Sequence, residues 1–348
     1  MQLKSFTPKY LKSIKLPMGT TWLLGECMEA KGRQQLWDQK KPESLKALRD
    51  QAMIQSAESS NRIEGIEVSF DRLRPLVLGK TKPQSRSEEE VMGYRRALEL
   101  IHSKHHSLNI SPKITTQIHK LVQEGAGDAG FWKTKNNEII EFDQLGQRSV
   151  RFVPLSAKDT VAAMKSLCDS CQEQMISSQL PSLIISSFFV LDFLCIHPFR
   201  DGNGRVSRLL SLLLLYQSGF NVGRYISLER IIEENKKSYY EALKASSQGW
   251  HNQTHDPLPW INFYLSTLRL AYKEMTSGSE IISHSVSGKS EIIKTAVLKQ
   301  LGSFSLREIQ QQCPDVSLQM IKKVLGDLKK IKQVVLVGRG RGALWKVK

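Results

Sequence analysis

The feature that most constrains the fold is a pair of strongly apolar segments joined by one polar stretch. The first segment, residues 183–196, contains Ser186, Ser187 and Asp192 and is too short to cross a bilayer, so it predicts a buried helix. The second, residues 205–218, is apolar on nearly every side, which is typical of a helix at the centre of a helical domain. The sequence therefore predicts a mainly α fold built around these two helices.

Helical periodicity continues on both sides of this pair, and one segment interrupts it. Partial alternation over residues 138–142 and 149–153, around a turn at 143–146, predicts a small β-hairpin. Ser87, followed by three glutamates, is expected to cap one of the helices. The predicted helices cover residues 42–65, 69–78, 87–102, 111–123, 157–176, 228–247 and 257–275.

The last part of the chain changes character. A serine- and glycine-rich segment predicts a linker. After it, the spacing of Ile292, Ile293, Val297 and Leu301 begins a series of three short helices, followed by two strands around a basic glycine-rich turn, which is the order of elements in a winged helix. The predicted organisation is an N-terminal region at 1–86, a core at 87–276, a linker at 277–288 and a winged helix at 289–348.

The formal net charge of +16 predicts a polyanionic partner, and by itself it does not choose between nucleic acid, nucleotide phosphates and an acidic protein. Residues 289–348 hold thirteen Lys and Arg against four Asp and Glu, a net of +9. This concentration predicts DNA binding, with Arg339 and Arg341 entering a minor groove. A winged helix used for protein contacts or self-association remains the alternative.

Cysteine usage and the N-terminal sequence bear on location. Five cysteines, an odd number, fit a reduced cytoplasmic protein. The first residues are basic and contain no continuous apolar stretch of the kind that a secretory signal needs. We therefore expect a cytoplasmic protein with no membrane partner.

The polar stretch HPFRDGNGRVSR, residues 197–208, begins with groups suited to proton and metal chemistry. Pro198 disfavours continuation of the preceding helix, so His197 is expected at a helix–loop junction. An imidazole near its ordinary pKa accepts a proton at neutral pH. Asp201 supplies the hard oxygen ligand that Mg²⁺ prefers.

The second half of the stretch is suited to anions. Gly202, Asn203 and Gly204 can turn successive backbone N–H groups inward, and the helix that begins near Gly204 adds its positive end. Arg205 and Arg208, three residues apart, share a helix face and offer forked donors to phosphate. Together with the first half, this pattern predicts attack by a hydroxyl on a nucleotide phosphate.

The stretch resembles the Fic family signature, HxFx[D/E]GNGRxxR, and the resemblance covers roughly residues 45–275. It implies a mostly helical fold with its catalytic core at 87–276. It also implies transfer of AMP from ATP to a Ser, Thr or Tyr hydroxyl of a protein, with release of pyrophosphate. Relatives that transfer phosphate carry an altered anion site, so the retained Gly204 and Arg205 favour nucleotidyl transfer. The matching residues are His197, Phe199, Asp201, Gly202, Asn203, Gly204, Arg205 and Arg208.

The resemblance also implies a role for each of these residues. His197 is expected to act as general base on the target hydroxyl, Phe199 to anchor the loop in the core, and Asp201 to bind Mg²⁺ between the α- and β-phosphates. The expected phosphate-binding residues are Gly202, Asn203, Gly204, Arg205 and Arg208, with the two arginines on the leaving phosphates.

A second motif, Ser60-Asn-Arg-Ile-Glu64-Gly65, places a carboxylate where it is unfavourable. Glu64 is expected in the last turn of a helix, where the dipole disfavours negative charge, although a solvated glutamate is tolerated there. The segment resembles the Fic inhibitory motif [S/T]xxxE[G/N]. This resemblance implies that Glu64 pairs with Arg208 and blocks seating of the γ-phosphate, while in some relatives the same glutamate supports removal of AMP.

The resemblance also implies roles for two further segments. The predicted hairpin lies where Fic proteins carry a flap that pairs with the target backbone, and a lid without that pairing is the alternative. Tyr240, Leu243 and Ser247 are expected to line the adenine pocket, although their spacing alone equally fits plain helix core.

The sequence as a whole predicts a protein adenylyltransferase that binds ATP and Mg²⁺, modifies a target protein or itself, and is autoinhibited by Glu64. The alternatives are a DNA-binding regulator whose Fic core senses nucleotide, or a Fic enzyme that transfers UMP or phosphate, or removes AMP. Fic relatives often dimerise, so a homodimer is a further expectation.

Overall fold

The computed structural model describes residues 5–38, 42–142, 146–177, 179–283, 293–294, 296–297, 300, 303–314, 316–338 and 343–347. The chain divides into two compact units, Met1–Lys273 and Glu274–Lys348. Of the helices in the described ranges, none combines the length and the hydropathy that a bilayer crossing requires.

The first unit is mainly helical, as the sequence predicts, and it contains one β-hairpin. Strands β1 (Ile139–Phe142) and β2 (Arg148–Phe152) pair antiparallel, with a register shift between Ile139 and Ile140. Of the predicted turn, residues 143–145 lie outside the described residues. The helices are α1 (Pro8–Ser13), α2 (Met18–Asp38), α3 (Pro42–Ile63), α4 (Phe70–Val77), α5 (Arg86–Lys104), α6 (Pro112–Val122), α7 (Ala157–Ser177), α8 (Ser182–Ile196), α9 (Asn203–Gln217), α10 (Leu228–Glu234), α11 (Lys236–Ser247) and α12 (Leu258–Ser283).

Helices α8 and α9 form the centre of this unit, as their apolar sequences predict. In α8 every residue except Ser182 and Leu194 is buried. In α9 the buried residues include a continuous run from Arg205 to Leu210. Each fully buried leucine or phenylalanine contributes about 1.5–3 kcal/mol, so this pair anchors the loop between its helices firmly.

Several helix ends differ from the sequence predictions for local reasons. Helix α5 begins at Arg86 because the Ser85 hydroxyl, rather than that of Ser87, accepts a hydrogen bond from the Glu88 backbone N–H (3.3 Å). The predicted helix at 228–247 is two helices, since the Asn235 side chain donates to the Ile231 carbonyl (2.8 Å) and its backbone leaves the helical region. Helix α12 continues to Ser283, into the segment predicted as a linker.

The N-terminal residues, which carry no readable sequence pattern, are tied to the helical core. The Ser5 hydroxyl donates to the buried Asp192 carboxylate of α8 (2.5 Å). The Tyr10 hydroxyl donates to the His255 carbonyl (2.9 Å), and its ring stacks on the His255 ring at 4.4 Å. These contacts pin residues 5–10 against the helix that precedes the polar loop.

The second unit contains the last two predicted helices and the two predicted strands, and it adds a strand, β3, that the sequence did not predict. Residues 293–294 and 296–297 are helical; Ile292, Leu301, Arg339, Arg341 and linker residues 284–288 lie outside the described residues. The strands form a sheet in the order β3-β5-β4, and Ser305 and Glu308 make the predicted capping box. The elements are β3 (Ser303–Phe304), α13 (Leu306–Gln312), α14 (Leu318–Lys330), β4 (Val334–Val337) and β5 (Leu344–Val347).

Candidate active site

His197 caps the C-terminal end of α8 in a left-handed conformation (φ 50°, ψ 62°) that few non-glycine residues adopt. Its Nδ1 lies 3.3 Å from the Leu194 carbonyl, which can only accept, so the proton belongs on Nδ1 and Nε2 is left as the base. Burial lowers the pKa of His197 to about 4, and the nearby charge of Lys133 acts in the same direction. The imidazole is therefore neutral at physiological pH.

Lys133 holds the main chain on both sides of His197, a role that sequence reasoning did not identify. Its ammonium donates to the carbonyls of Ile196 (3.0 Å) and Leu155 (2.6 Å), while its backbone N–H donates to the Pro198 carbonyl (2.9 Å). Its side chain is buried, and burial lowers the pKa of Lys133 to about 8. The ammonium thus clamps the strained turn that presents the imidazole.

Phe199 anchors the loop in the core, as the resemblance implies. It is fully buried and stacks on the His119 ring (centroids 3.7 Å apart) and on Trp132 (4.9 Å). His119 was also missed by the sequence reasoning. Its Nδ1 accepts from the Gly130 N–H (2.9 Å), which leaves Nε2 to donate to the Asp201 carbonyl (3.1 Å).

Asn203 ties the loop together through its side chain. The amide oxygen accepts from the Phe199 N–H (2.9 Å) and the amide nitrogen donates to the Phe199 carbonyl (2.9 Å). Gly202, at φ 77°, supplies the left-handed conformation that starts α9, with no side chain capping the helix. The first backbone N–H groups of α9 are therefore available to an anion.

Asp201 presents an exposed carboxylate at this helix start. Desolvation works to raise its pKa, but the N–H donated by Gly202 (2.6 Å) and the Arg205 guanidinium outweigh it and hold the pKa of Asp201 below its ordinary value. The carboxylate is therefore charged at neutral pH. Within the described part of the chain, no group of three or more His, Cys, Asp or Glu side chains forms a metal cage. A single carboxylate nevertheless fits Mg²⁺, which binds through one or two carboxylates together with substrate phosphates and water.

Arg208 is buried and bonded to Ser60 and Glu64 of the segment that resembles the inhibitory motif. Its guanidinium donates to the Ser60 hydroxyl (2.9 Å), the Ser60 carbonyl (2.9 Å) and Glu64 Oε1 (2.8 Å). Desolvation works to lower the pKa of Arg208, but the Glu64 charge raises it. The other terminal nitrogen, Nη1, is buried and has no hydrogen-bond partner among the described residues.

Glu64 lies against the start of α9. It follows the last residue of α3, and Gly65 turns the chain away at φ 81°. A Cβ on Gly204 would fall 2.1 Å from Glu64 Oε1, so only glycine leaves room for this carboxylate. The negative group thus occupies the positive end of a helix, which is the position an anionic ligand would take.

Arg205, which is also a predicted phosphate ligand, is bonded to two neighbouring helices. Its side chain is 1 % exposed, and its Nη1 donates to Glu90 (2.5 Å) and Asn61 (3.2 Å). The carboxylate of Asp201 lies 3.8 Å from its Nη2. The structure therefore shows Arg205 fixing α9 to α5 and α3, rather than pointing into the cavity described next.

One cavity of about 430 Å³ brings together His197, Glu64, Gly204 and the residues predicted to meet adenine. Asp201, Gly202 and Asn203 belong to the adjoining helix start and do not line it. The lining comes from α8, α11, the hairpin and the ends of α3 and α9. It consists of Glu64, Ile139, Ile140, Glu141, Arg151, Phe152, Leu191, Leu194, Cys195, His197, Gly204, Tyr239, Tyr240, Leu243 and Ser247.

Comparison with protein families matches residues 109–215 to the Fic/DOC family. This match covers the region from α6 to the end of the central helix pair and includes the whole polar loop. The curated relatives include a protein adenylyltransferase Fic of Nematostella vectensis, 27 % identical over 225 residues, which are 61 % of this chain and 46 % of that protein. Another is the protein adenylyltransferase fic-1 of Caenorhabditis elegans, 27 % identical over 54 % of this chain and 35 % of that protein. The chain thus spans less than half the length of either relative.

Solved structures show the same fold. A Fic family protein from Desulfovibrio desulfuricans superposes with a TM-score of 0.62 at 20 % identity, covering 96 % of this chain and 97 % of that one. A Fic domain-containing signaling protein from Bacteroides thetaiotaomicron gives a TM-score of 0.57 at 21 % identity, covering 73 % of this chain and 94 % of that one.

Proposed function

The chain carries a Fic/DOC-family domain at residues 109–215, and from that premise we propose that it transfers AMP from ATP to a hydroxyl of a protein. Relatives that match it are protein adenylyltransferases, which supports a nucleotidyl transfer. The observation that carries the proposal is the shared cavity of His197 and Gly204, where a neutral imidazole and the start of α9 line one space.

The proposed reaction uses His197 Nε2 as the general base. As Nε2 takes the proton of the target hydroxyl, the hydroxyl oxygen attacks the α-phosphorus of ATP. The bond from that phosphorus to the bridging oxygen breaks, and pyrophosphate leaves with the bonding pair. Because little covalent chemistry falls to the protein, positioning and electrostatic stabilisation supply most of the acceleration.

Phosphate binding is proposed at the start of α9. The backbone N–H groups there, flanked by Gly202 and Gly204, face no side-chain cap. The unpartnered Nη1 of Arg208 lies next to Gly204, 3.2 Å from where a Cβ would stand. A buried donor without a partner is costly, so a ligand oxygen at this point would be stabilised.

Mg²⁺ is proposed on Asp201, whose carboxylate is charged and exposed. Bound there, the ion would neutralise charge on the phosphates. Adenine is proposed to lie against Tyr240, Leu243 and Ser247, which line the far side of the same cavity.

We propose autoinhibition by Glu64 on the same geometry. Its carboxylate pairs with Arg208 and fills the space next to Gly204. Phosphate oxygens and Glu64 would therefore compete for the same position beside the Arg208 guanidinium. The hairpin β1–β2, which forms one wall of the cavity, is proposed as the flap that aligns the target backbone.

The test is incorporation of label from ATP labelled at the α-phosphate. We expect Glu64→Gly to raise incorporation about 5- to 150-fold, the range of a coupling energy of about 1–3 kcal/mol. His197→Ala in the Glu64→Gly background should lower it about 10²- to 10⁴-fold, the usual contribution of a general base. Glu67→Gly, at a nearby glutamate in the same segment with no ion pair among the described residues, is the matched control and should leave incorporation unchanged.

The same assay distinguishes AMP transfer from the alternative enzymatic activities. Label from the γ-phosphate appearing on protein would indicate phosphate transfer, and a preference for UTP in a nucleotide panel would indicate UMP transfer. Loss of AMP from a pre-modified protein that depends on Glu64 would show AMP removal. No label incorporation by either wild type or Glu64→Gly would contradict the proposal and leave the regulator with a nucleotide-sensing core.

A second function, binding of DNA by a winged helix in the C-terminal unit, is proposed on the face of α14. Lys322, Lys323, Lys329 and Lys330 are exposed on this helix, while Ile321, Val324, Leu325 and Leu328 are buried. A helix with one basic face and one apolar face suits a duplex backbone.

We expect the full chain to shift duplex DNA at low salt and to lose the shift as salt rises. Lys322→Glu with Lys323→Glu should weaken it by about tenfold or more, since each reversed charge opposes the phosphates. Lys165→Glu with Lys158→Glu, on α7 of the first unit, is the charge-matched control. No shift by the full chain at low salt would contradict DNA binding.

A further inference from the structure

Arg151 places an unpaired positive charge in the wall of the cavity. It lies on β2, where Arg148, Ser149 and Val150 are exposed and Arg151 and Phe152 are partly buried. Arg151 lines the cavity together with His197 and Tyr240. Among the described residues, no carboxylate lies within ion-pair distance of its guanidinium, and no side-chain hydrogen bond holds it.

The hairpin that carries Arg151 is fixed against the body of the unit. Phe152 stacks on the His251 ring, with centroids 5.5 Å apart. Glu141 of the facing strand pairs with Lys244 of α11 at 2.5 Å. The Arg151 guanidinium itself lies over the Tyr240 ring, 5.3 Å from its centroid, where the cation is attracted to the ring face. Its position is therefore set by packing, with its N–H donors left for another partner.

The other arginines near this cavity are already paired. Arg205 is bonded to Glu90, and Arg208 is bonded to Glu64 and Ser60. Arg151 differs because its charge is compensated by no described side chain while it still acts on His197, whose pKa it helps to lower. A partly buried guanidinium with free donors is complementary to an anion, and phosphate matches its forked geometry best.

We propose that Arg151 binds the α-phosphate of the nucleotide, so that the flap contributes to nucleotide binding as well as to the target. The α-phosphate must lie beside the base, His197, and next to the adenine proposed at Tyr240. Arg151 lies over the Tyr240 ring and lines the same cavity as His197. The β- and γ-phosphates belong at the start of α9, beyond Gly204. This inference rests on the proposed function.

The test is nucleotide binding without turnover. In the full chain carrying Glu64→Gly and His197→Ala, Kd values for ATP, AMP and adenosine are measured by calorimetry in the wild-type hairpin background and with Arg151→Ala, Arg151→Lys and Arg148→Ala. Arg148 is the matched control, since it lies three residues away on the same strand and is exposed, with Glu138 3.5 Å away.

We expect Arg151→Ala to weaken ATP and AMP equally, by about tenfold, as expected for loss of one charge-assisted hydrogen bond. Adenosine should bind as before, because it lacks phosphate. Arg151→Lys should retain part of the affinity for both nucleotides, and Arg148→Ala should retain all of it. Unchanged melting temperatures of the Arg151 variants would show that the hairpin remains folded.

Three results would overturn the inference. A loss for ATP alone would place Arg151 on the leaving phosphates, and an equal loss for adenosine would make it a base or packing residue. Kd values for ATP and AMP that Arg151→Ala leaves unchanged would show that Arg151 does not bind the nucleotide. In each case the proposed function stands, whereas absence of ATP binding by the background protein itself would contradict the proposed function as well.

Discussion

At the residue scale, the loop that presents His197 is held mainly by side chains that bond to main-chain groups. Lys133 donates to the Ile196 and Leu155 carbonyls, and Asn137 donates to the Phe199 carbonyl (3.1 Å). Asn203 closes the loop on the same Phe199 peptide. The strained conformation of His197 is therefore maintained by its surroundings. These hydrogen-bond donors thus determine the orientation of the imidazole.

Substitutions at Lys133 test whether its hydrogen bonds position His197 or only stabilise the fold. Lys133→Met leaves two buried carbonyls without their donor and frees His197 to move, so we expect AMP incorporation in the Glu64→Gly background to fall about 10²-fold. Lys133→Arg restores a donor and should retain most of the activity. The measurement is kcat, KM for ATP and melting temperature for each variant; equal kcat for Met and Lys at this position would contradict the clamp.

At the element scale, the ends of two helices, α3 and α9, lie in close contact. The C-terminal end of α3 places Glu64 against the N-terminal end of α9, and Gly204 leaves the room for it. Removing Glu64 also removes the charge partner of the buried Arg208, whose remaining acceptors are those of Ser60. The contact that we propose as inhibitory thus also neutralises a buried charge, and breaking it should be destabilising.

This close contact predicts that substitutions at Gly204 and Glu64 have non-additive effects on the free energy of unfolding. In the wild-type chain, Gly204→Ala forces its methyl group against the carboxylate, and we expect the free energy of unfolding to fall by about 1–3 kcal/mol. In the Glu64→Ala background the new methyl group meets only the Arg208 Nη1, 3.2 Å away, and we expect the loss in the free energy of unfolding to be about 1 kcal/mol smaller. Urea unfolding of the four proteins measures the difference, and strict additivity would show that the two positions do not touch.

The sequence predicts those parts of this site that depend on short-range pattern. The anion-binding turn at residues 202–204, the helix start and the pair of motifs follow from residue order, and the pairing of Glu64 with Arg208 follows from the resemblance. Lys133 and Arg205 are different, because their partners Ile196 and Glu90 lie 63 and 115 residues away along the chain. Nothing in local spacing selects one acceptor among many, so these contacts become visible only in the folded structure.

At the scale of the whole molecule, four histidines of the first unit are buried or partly buried, and none of them is ion-paired with a carboxylate among the described residues. Burial lowers the pKa of His102 to about 3 and those of His119, His197 and His255 to about 4. Each of these rings is therefore neutral in the folded protein at a pH where an unfolded histidine already binds a proton.

The sign of the resulting pH dependence follows from linkage. Because the folded-state pKa values lie below the unfolded value of about 6.5, stability is fully present above pH 6.5 and is lost as pH falls toward 4. We expect the melting temperature to drop steadily between pH 7 and pH 5. His119→Phe, which keeps the stack on Phe199, should reduce the steepness of that drop; a melting temperature that is level or rises over this interval would contradict the prediction.

The seating of Glu64 beside Gly204 has a consequence for small-molecule inhibitors. With the carboxylate in place, the inner end of the cavity offers a negative group; with it displaced, the same point offers the bare helix start and an arginine. A purine analogue bearing an amine at that point would bind preferentially when Glu64 lies beside Gly204, and one bearing a phosphonate would bind preferentially when Glu64 is displaced. The relative binding of the two compound series would therefore show which position Glu64 occupies.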